Sequence, residues 1–450
     1  TIRWSYELLD EQEQQVFNRL AVFQGYWNLD AATAVLQMSD IDLDDIILSL
    51  VNKSMVQQRE MPNGDIFFTL LETLREFALE QLQQSNDATT VHERHIDYYT
   101  GLAASCTRST PDKEHRQWVE TVTLSFDNMR EAFYWAFHNN RIDQAARLFV
   151  ALSGFWFIRY TTEGNLWLEQ LRPLLEGLPP DIAYSVYHRS AFFRSERGEI
   201  QAAIADSQQA LKLLPAEEEN KRYTVLVHLA LNYHLMGDID KAEALYLDVI
   251  TQLRNAEKFA ALGGVLPGYS SLLQNTGRVP IAIAMLEEAI ALMHTHKIRR
   301  GLPHVLIALA PLYGAENMEK VQSVAEEGLA LCREFGDQRT EIKACNTLAG
   351  VAISQGEYAK AGEYLYLAIQ QINEIGNSRS APPVLLNLAS VFISSSAVEE
   401  SARLFGYTDR LLESFDGHSM IEMLAEFRES LRQQLLEKLT PAQWEQFQAE

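Results

Sequence analysis

Residues 223–253 read YTVLVHLALNYHLMGDIDKAEALYLDVITQL, two apolar-striped runs on either side of Gly237. In each run apolar side chains recur at i, i+3 and i+4, the mark of a helix with one buried face. Gly237 between them suits the left-handed residue at which a helix ends. Residues 341–375, EIKACNTLAGVAISQGEYAKAGEYLYLAIQQINEI, follow the same plan around Gly356. The expected helices are Tyr223–Met236 with Ile239–Leu253, and Glu341–Gln355 with Tyr358–Ile375.

The plan is periodic. Gly198, Gly237, Gly277, Asn317, Gly356 and Ser396 are separated by 39, 40, 40, 39 and 40 residues. Asn317 is expected to replace glycine because Asn tolerates the left-handed cap. Seven residues before each turn stands a small residue: Ala191, Ala230, Ser270, Ala310, Ala349 or Ala389. Five after come Ala203, Ala242, Ala282 and Ala361, with Gln322 and Ser401 departing. Nine after come Tyr246, Leu286, Leu365 and Phe405, with Ser207 and Glu326 departing. Small residues let helices approach, and large ones fill the gap between units. One helix pair cannot bury its apolar face alone, whereas a stack can. The unit resembles the tetratricopeptide repeat, lengthened from the usual ~34 residues, and is similar to the array of MalT-like regulators. About six repeats are expected over residues 181–415, with capping helices over 416–450.

The first ninety residues have another rhythm. Short helices are expected at Ile2–Leu9, Glu11–Phe23 (capped by Asp10), Leu29–Leu36 and Leu43–Val51. Met55–Arg59 and Asp65–Leu70 alternate around Met61-Pro62-Asn63-Gly64, a hairpin signal. Glu72–Gln83 closes the segment as a helix. This order is the winged-helix plan, expected over residues 1–90. Residues 91–180 are expected to be a helical connector whose aromatic residues form core, and Pro179-Pro180 marks its end. The fold class is therefore mainly α: a winged helix followed by an α-solenoid.

Composition excludes several classes of function. The chain has 450 residues, 47% hydrophobic, so wholesale disorder is excluded. No apolar run approaches the ~18–20 residues that a membrane helix needs, so no membrane partner is expected. Acids exceed bases 61 to 38, a net of −23. That opposes phosphate-driven binding to nucleic acid and favours protein partners. Over residues 1–85 five basic residues (Arg3, Arg19, Lys53, Arg59, Arg75) face fourteen acids. The candidate recognition helix, Ser39–Val51, carries four aspartates and no base. Cys106, Cys332 and Cys345 fit neither a zinc site nor a disulfide framework and are expected as free thiols in the cytoplasm. There is no phosphate loop, dinucleotide fingerprint or nucleophile elbow. Catalytic residues, cofactors and metals are all expected to be absent. The nearest metal-like string, His92-Glu93-Arg94-His95, is expected to be a solvated helix start, and Arg75 a partner of Glu72.

Longer stretches carry a resemblance. They are WSYELLDEQEQQVFNRLAVFQGYWNLDAATAVL (4–36), LSLVNKSMV (48–56), FFTLLETLREFALEQL (67–82), RHIDYYTGLA (94–103), FDNMREAFYWAF (126–137) and ESARLFGYTDRLLESF (400–415). Their order resembles the part that follows the nucleotide-binding domain in bacterial STAND-class signalling ATPases, notably AfsR-like and LuxR-type transcriptional regulators. The resemblance implies a non-catalytic sensing and interaction module, with an ATPase and an effector domain upstream. The chain, which does not begin with Met, is accordingly expected to be a fragment. Implied partners are a protein or peptide, or a small-molecule inducer, and the upstream nucleotide-binding domain. The alternative is direct DNA binding through the winged helix. In such stacks the first helix of each pair lines the concave face. Counting from the turns, the inward, partner-binding candidates are His188, Phe192, His228, His234, Gln274 and Asn346. Basic residues at the turns between units (Arg222, Arg300, Arg339 and Arg379, with Lys221, Lys258, Lys297 and Arg299) are expected to complement helix dipoles. The alternative expectation is that they form an anion- or partner-binding ridge along one edge, with Arg300, Arg339 and Arg379 at its regular spacing.

Overall fold

A computed structural model describes the chain outside residues 1, 39–40, 62–63, 106–111, 157–160, 300, 376–377, 416–418 and 450. Cys106, Arg300, the Pro62-Asn63 turn and the Ser39-Asp40 start of the candidate recognition helix thus lie outside the described residues. The chain forms two compact units, residues 1–154 with 171–182, and residues 155–170 with 183–450.

The first unit begins with α1 (Ile2–Glu7), α2 (Glu11–Leu20), α3 (Leu29–Leu36) and α4 (Leu43–Asn52). The hairpin β1 (Gln57–Glu60) and β2 (Ile66–Thr69) and then α5 (Glu72–Gln83) follow. Asp10 starts α2 with a reciprocal cap: it accepts from the Glu13 N–H at 2.9 Å, and Glu13 accepts from the Asp10 N–H at 3.0 Å. Val16, Phe17 and Leu20 are buried on one face, as their spacing predicts. The hairpin pairs Gln57 with Thr69 through Glu60 with Ile66. Trp27 adds a bridge to Phe68, and its ring stacks between Phe23 and Phe68 at 5.3 and 5.0 Å. This is the expected winged helix.

The unit continues through α6 (Ala88–Ala104), α7 (Asp112–Leu124), α8 (Phe126–His138) and α9 (Ile142–Ala151). Asn128 on α8 ties these helices to the loop after α2. It accepts from the Gln24 N–H at 2.8 Å and donates to the Tyr26 carbonyl at 2.8 Å. His95 meets the same amide at 3.3 Å. The solvated helix start expected at His92 and His95 is not found. His92 stacks on Trp135 at 4.7 Å, and His95 is fully buried.

The chain passes through α10 (Ser153–Trp156) and α11 (Thr161–Leu171) into the array. Its pairs are α12 (Pro180–Glu196) with α13 (Ile200–Leu213), α14 (Glu219–Met236) with α15 (Ile239–Asn255), and α16 (Phe259–Asn275) with α17 (Val279–Thr295). Next come α18 (Leu302–Leu309) with α19 (Met318–Phe335), α20 (Gln338–Ser354) with α21 (Tyr358–Ile375), and α22 (Ala381–Ser394) with α23 (Val398–Glu413). α24 (Ser419–Leu436) and α25 (Pro441–Ala449) end it. Gly198, Gly237, Gly277, Gly356 and Ser396 all have φ between 65° and 90°. The small residues before the turns are all buried.

Asn317 corrects the expected series. Its φ is −134°, and it caps the start of α19 instead of ending α18. Pro311 has no N–H, so α18 stops at Leu309 and a 3-10 turn runs over Ala310–Tyr313. Gly314 then takes the positive φ, 73°. The buried stripe of α19 consequently falls on Val321 and Ala325, one residue before the expected positions. Gln322 and Glu326, which looked like departures, lie outside that stripe and hydrogen bond to each other at 2.8 Å.

The array turns back on itself. Gly198, after the first inner helix, packs against Phe415, just beyond α23. α24 meets α14. Arg339 of α20 forms an ion pair with Glu196 of α12. The first helices of the first and fifth pairs, α12 and α20, therefore meet.

Candidate functional site

The inner helices carry polar side chains that meet in pairs, three of them 40 or 41 residues apart and one, His304 with Thr340, 36. His188 Nε2 lies 2.8 Å from His228 Nδ1, so one ring donates and the other accepts. The Asn275 amide faces His234 Nε2 at 2.9 Å. Thr340 Oγ1 lies 3.0 Å from His304 Nδ1. Asn387 donates to the Asn346 side-chain oxygen at 2.9 Å. A repeat near forty residues makes such a ladder, because it returns the same helix face to the same height.

The six inward candidates divide by environment. His188, His228 and Asn346 are half-buried members of the ladder. Gln274 is exposed. Phe192 and His234 are buried, at 7% and 1% exposure, so the solvent-facing placement expected of them is not found. Closure of the array brings Arg339 over Phe192. Two cations lie over Phe192, Arg339 4.4 Å and Arg189 5.4 Å from its ring centre. Burial, and then the nearby Arg379 charge, lower the His234 pKa to about 4.

The turn cations part company as well. Arg222 donates to the Leu211 and Leu214 carbonyls, the expected dipole complement. Lys221 pairs with Glu218, and Arg299 with Glu334 at 2.7 Å. Arg339 and Arg379 form no outer ridge. They turn inward, Arg379 donating to Ser195 Oγ at 3.2 Å. Lys343, one turn beyond Arg339 on α20, joins them. Its side chain is exposed to solvent. Desolvation by the surrounding protein and the positive charge of Arg339 lower its pKa. Sequence reasoning missed Lys343 and His304 as inner-surface groups, whereas Tyr246 is buried between units as expected. The i, i+4 spacing of Arg339 and Lys343 was the one available signal.

On the winged helix the basic side chains serve the fold. Arg19 pairs with Asp87 at 2.5 Å, Lys53 with Glu13, and Arg75 with Glu72 as expected. Arg59 contacts Tyr26, and Arg3 lies over Phe77. Asp44 and Asp45 of α4 are exposed. Cys332 and Cys345 are buried and unjoined, and burial pushes the Cys345 thiol up to about 12. Among the described residues no helix is long and apolar enough to cross a membrane.

Residues 9–83 match the winged helix-turn-helix domain family, and residues 189–373 match the MalT-like TPR region. The chain joins a winged helix to a MalT-like repeat region. Over 177 residues, 38% of its length, it is 42% identical to Rv0890c of Mycobacterium tuberculosis, provisionally named an HTH-type transcriptional regulator. The match spans only 20% of that regulator. Over 100 residues it is 36% identical to the uncharacterized protein Rv0894 of the same species, covering 21% of this chain and 25% of that protein. Among solved structures, a STAND protein with a tetratricopeptide repeat sensor from Pyrococcus horikoshii superposes with TM-score 0.47 and 17% identity, covering 95% of this chain and 60% of that one. A Rap protein complexed with competence and sporulation factor gives 0.47 and 13%, covering 76% and 99%. The MalT-like match includes five of the six inward candidates and Lys343; His188 lies one residue before it.

Proposed function

We propose that this chain is the sensing and relay part of a cytoplasmic transcriptional regulator and has no catalysis or cofactor of its own. The MalT-like region takes up a protein, a peptide or a small-molecule inducer. The winged helix passes the resulting change to a nucleotide-binding domain elsewhere in the same polypeptide. One observation carries the reading: a winged helix whose basic side chains are occupied within its own fold stands on the same chain as an array with a polar, charged inner surface. The name of the matched regulator supports the wider setting.

Direct DNA binding is the second reading, favoured by the winged helix-turn-helix match itself. Filter binding with duplex DNA at ~0.15 M salt, where charges are screened beyond ~8 Å, separates the two. The relay reading expects no appreciable retention, since the recognition surface is acidic. Tight, salt-sensitive retention would establish the second reading. The chain is also expected to show no Mg-dependent ATP turnover. Turnover that persists through a further purification step would count against a purely sensing role.

A further inference from the structure

Cations gather where α12 and α20 of the array meet. Arg339 is matched by Glu196. Arg379 reaches in from the turn before α22 and is held by Ser195, a neutral group. Lys343 has no hydrogen bond or ion pair among the described residues. The charges that act on it are Arg339, Glu196, Arg379 and Asp337. Asp337 is already engaged, accepting from the Thr340 N–H at 3.0 Å and lying 3.9 Å from His304. Two further donors are buried without a partner, the Tyr246 hydroxyl and His234 Nδ1. The Asn275 amide nitrogen faces His234 Nε2, which makes Nε2 the acceptor and assigns the ring proton to Nδ1. Both groups are close enough to Arg379 to feel its charge. Gly268 leaves room for the Tyr246 hydroxyl, since a Cβ there would lie 2.8 Å from it.

Buried donors left unpaired beside cations that repel one another are costly unless an acceptor of negative charge joins them. Charge-assisted bonds to such an acceptor are the strong ones. We propose that this part of the inner surface seats an oxyanion, a phosphate or carboxylate group on a small ligand, with Lys343 and Arg379 as its principal holders. The proposal deepens the sensing reading and rests on it only in taking the inner surface as the ligand's place.

The test uses the whole 450-residue chain. Its melting temperature and heat of binding are measured with pyrophosphate and with citrate, each at roughly 10 mM and below, against chloride of equal ionic strength. A dose-dependent rise with pyrophosphate alone identifies a phosphate seat, and a rise with citrate alone a carboxylate seat. Lys343→Gln is expected to melt no lower than the parent without anion, because it removes a repelled charge. It should weaken anion binding by about tenfold or more. Arg379→Gln should weaken binding likewise. The proposal is overturned if neither anion exceeds the chloride control, or if both variants respond as the parent does. Anion binding that depends on Lys343, together with tight retention of duplex DNA, would leave the seat standing and remove the relay reading.

Discussion

Asn128 shows how much one residue can decide. Its amide serves the Gln24 N–H, the Tyr26 carbonyl and the His95 ring at once, with no exposure to solvent. Asn128→Ala strands those groups and should cost about 2–4 kcal/mol, read as a lower urea midpoint. The neighbouring histidines set a pH dependence. Burial lowers the His92 pKa from 6.5 to about 4 and the His95 pKa to about 3. The unfolded chain therefore binds protons below pH 6.5 that the folded chain refuses. Stability is complete above pH 6.5 and falls as the pH drops, by about 1.4 kcal/mol per pH unit for each ring. His92→Phe keeps a ring against Trp135 and should flatten that slope between pH 6.5 and 5; an unchanged slope would contradict the assignment. In sequence these histidines looked solvated, because helical spacing gives a shared face without saying what covers it. Phe192, His234 and Asn346 teach the same lesson. From sequence, replacing all three with alanine should spare the melting temperature. With Phe192 and His234 buried, the triple variant should instead lose several degrees, Phe192→Ala alone costing about 3–5 kcal/mol.

Elements were more legible than residues wherever the period is carried by local chemistry. Tyr358–Ile375 runs as its spacing predicts, because apolar periodicity and a left-handed Gly356 are local signals. The α18–α19 turn was misread by three residues, and the stripe after it by one, because Pro311 ends the helix early and Gly314 takes the turn from Asn317. The winged helix was legible from its cap and its hairpin alternation, although no local signal foretold the Trp27 bridge. Two repeat glycines with the same backbone make a controlled comparison. Gly198 and Gly237 have φ of 83° and 90°. A Cβ on Gly237 meets open space, whereas one on Gly198 would lie 2.3 Å from the Phe415 ring. Gly237→Ala thus carries only the backbone penalty of about 1 kcal/mol. Gly198→Ala should be worse by about 1–3 kcal/mol, because Phe415 must also move. Equal melting temperatures for the two variants would show that α12 and Phe415 do not meet in solution.

At the scale of the whole array, closure changes what kind of object a solenoid is. An open stack is one-dimensional, each repeat touching only its neighbours, so its ends fray independently. Here Arg339 and Glu196 are 143 residues apart in sequence, and both side chains are mostly shielded, at 14% and 15% exposure. Arg379 and Ser195 are 184 residues apart. No repeat period encodes such contacts, since they depend on a small rotation per unit summed over several units. That is why the inner candidates could be counted from the turns while their burial could not. Closure also gathers cations inside a chain of net charge −23. The Arg339–Glu196 pair should therefore hold the first inner helix to the fifth. Removing one partner leaves a shielded charge unmatched, whereas removing both leaves none, so the double variant should be less damaged than the two single effects added. A cycle of Arg339→Met, Glu196→Gln and their combination should give a coupling of about 1–3 kcal/mol in chemical denaturation. Amide exchange should in parallel show α12 opening earlier in Glu196→Gln than in the parent, while α16 and α17 keep their protection. Additive effects with unchanged exchange in α12 would mean that the array is open in solution.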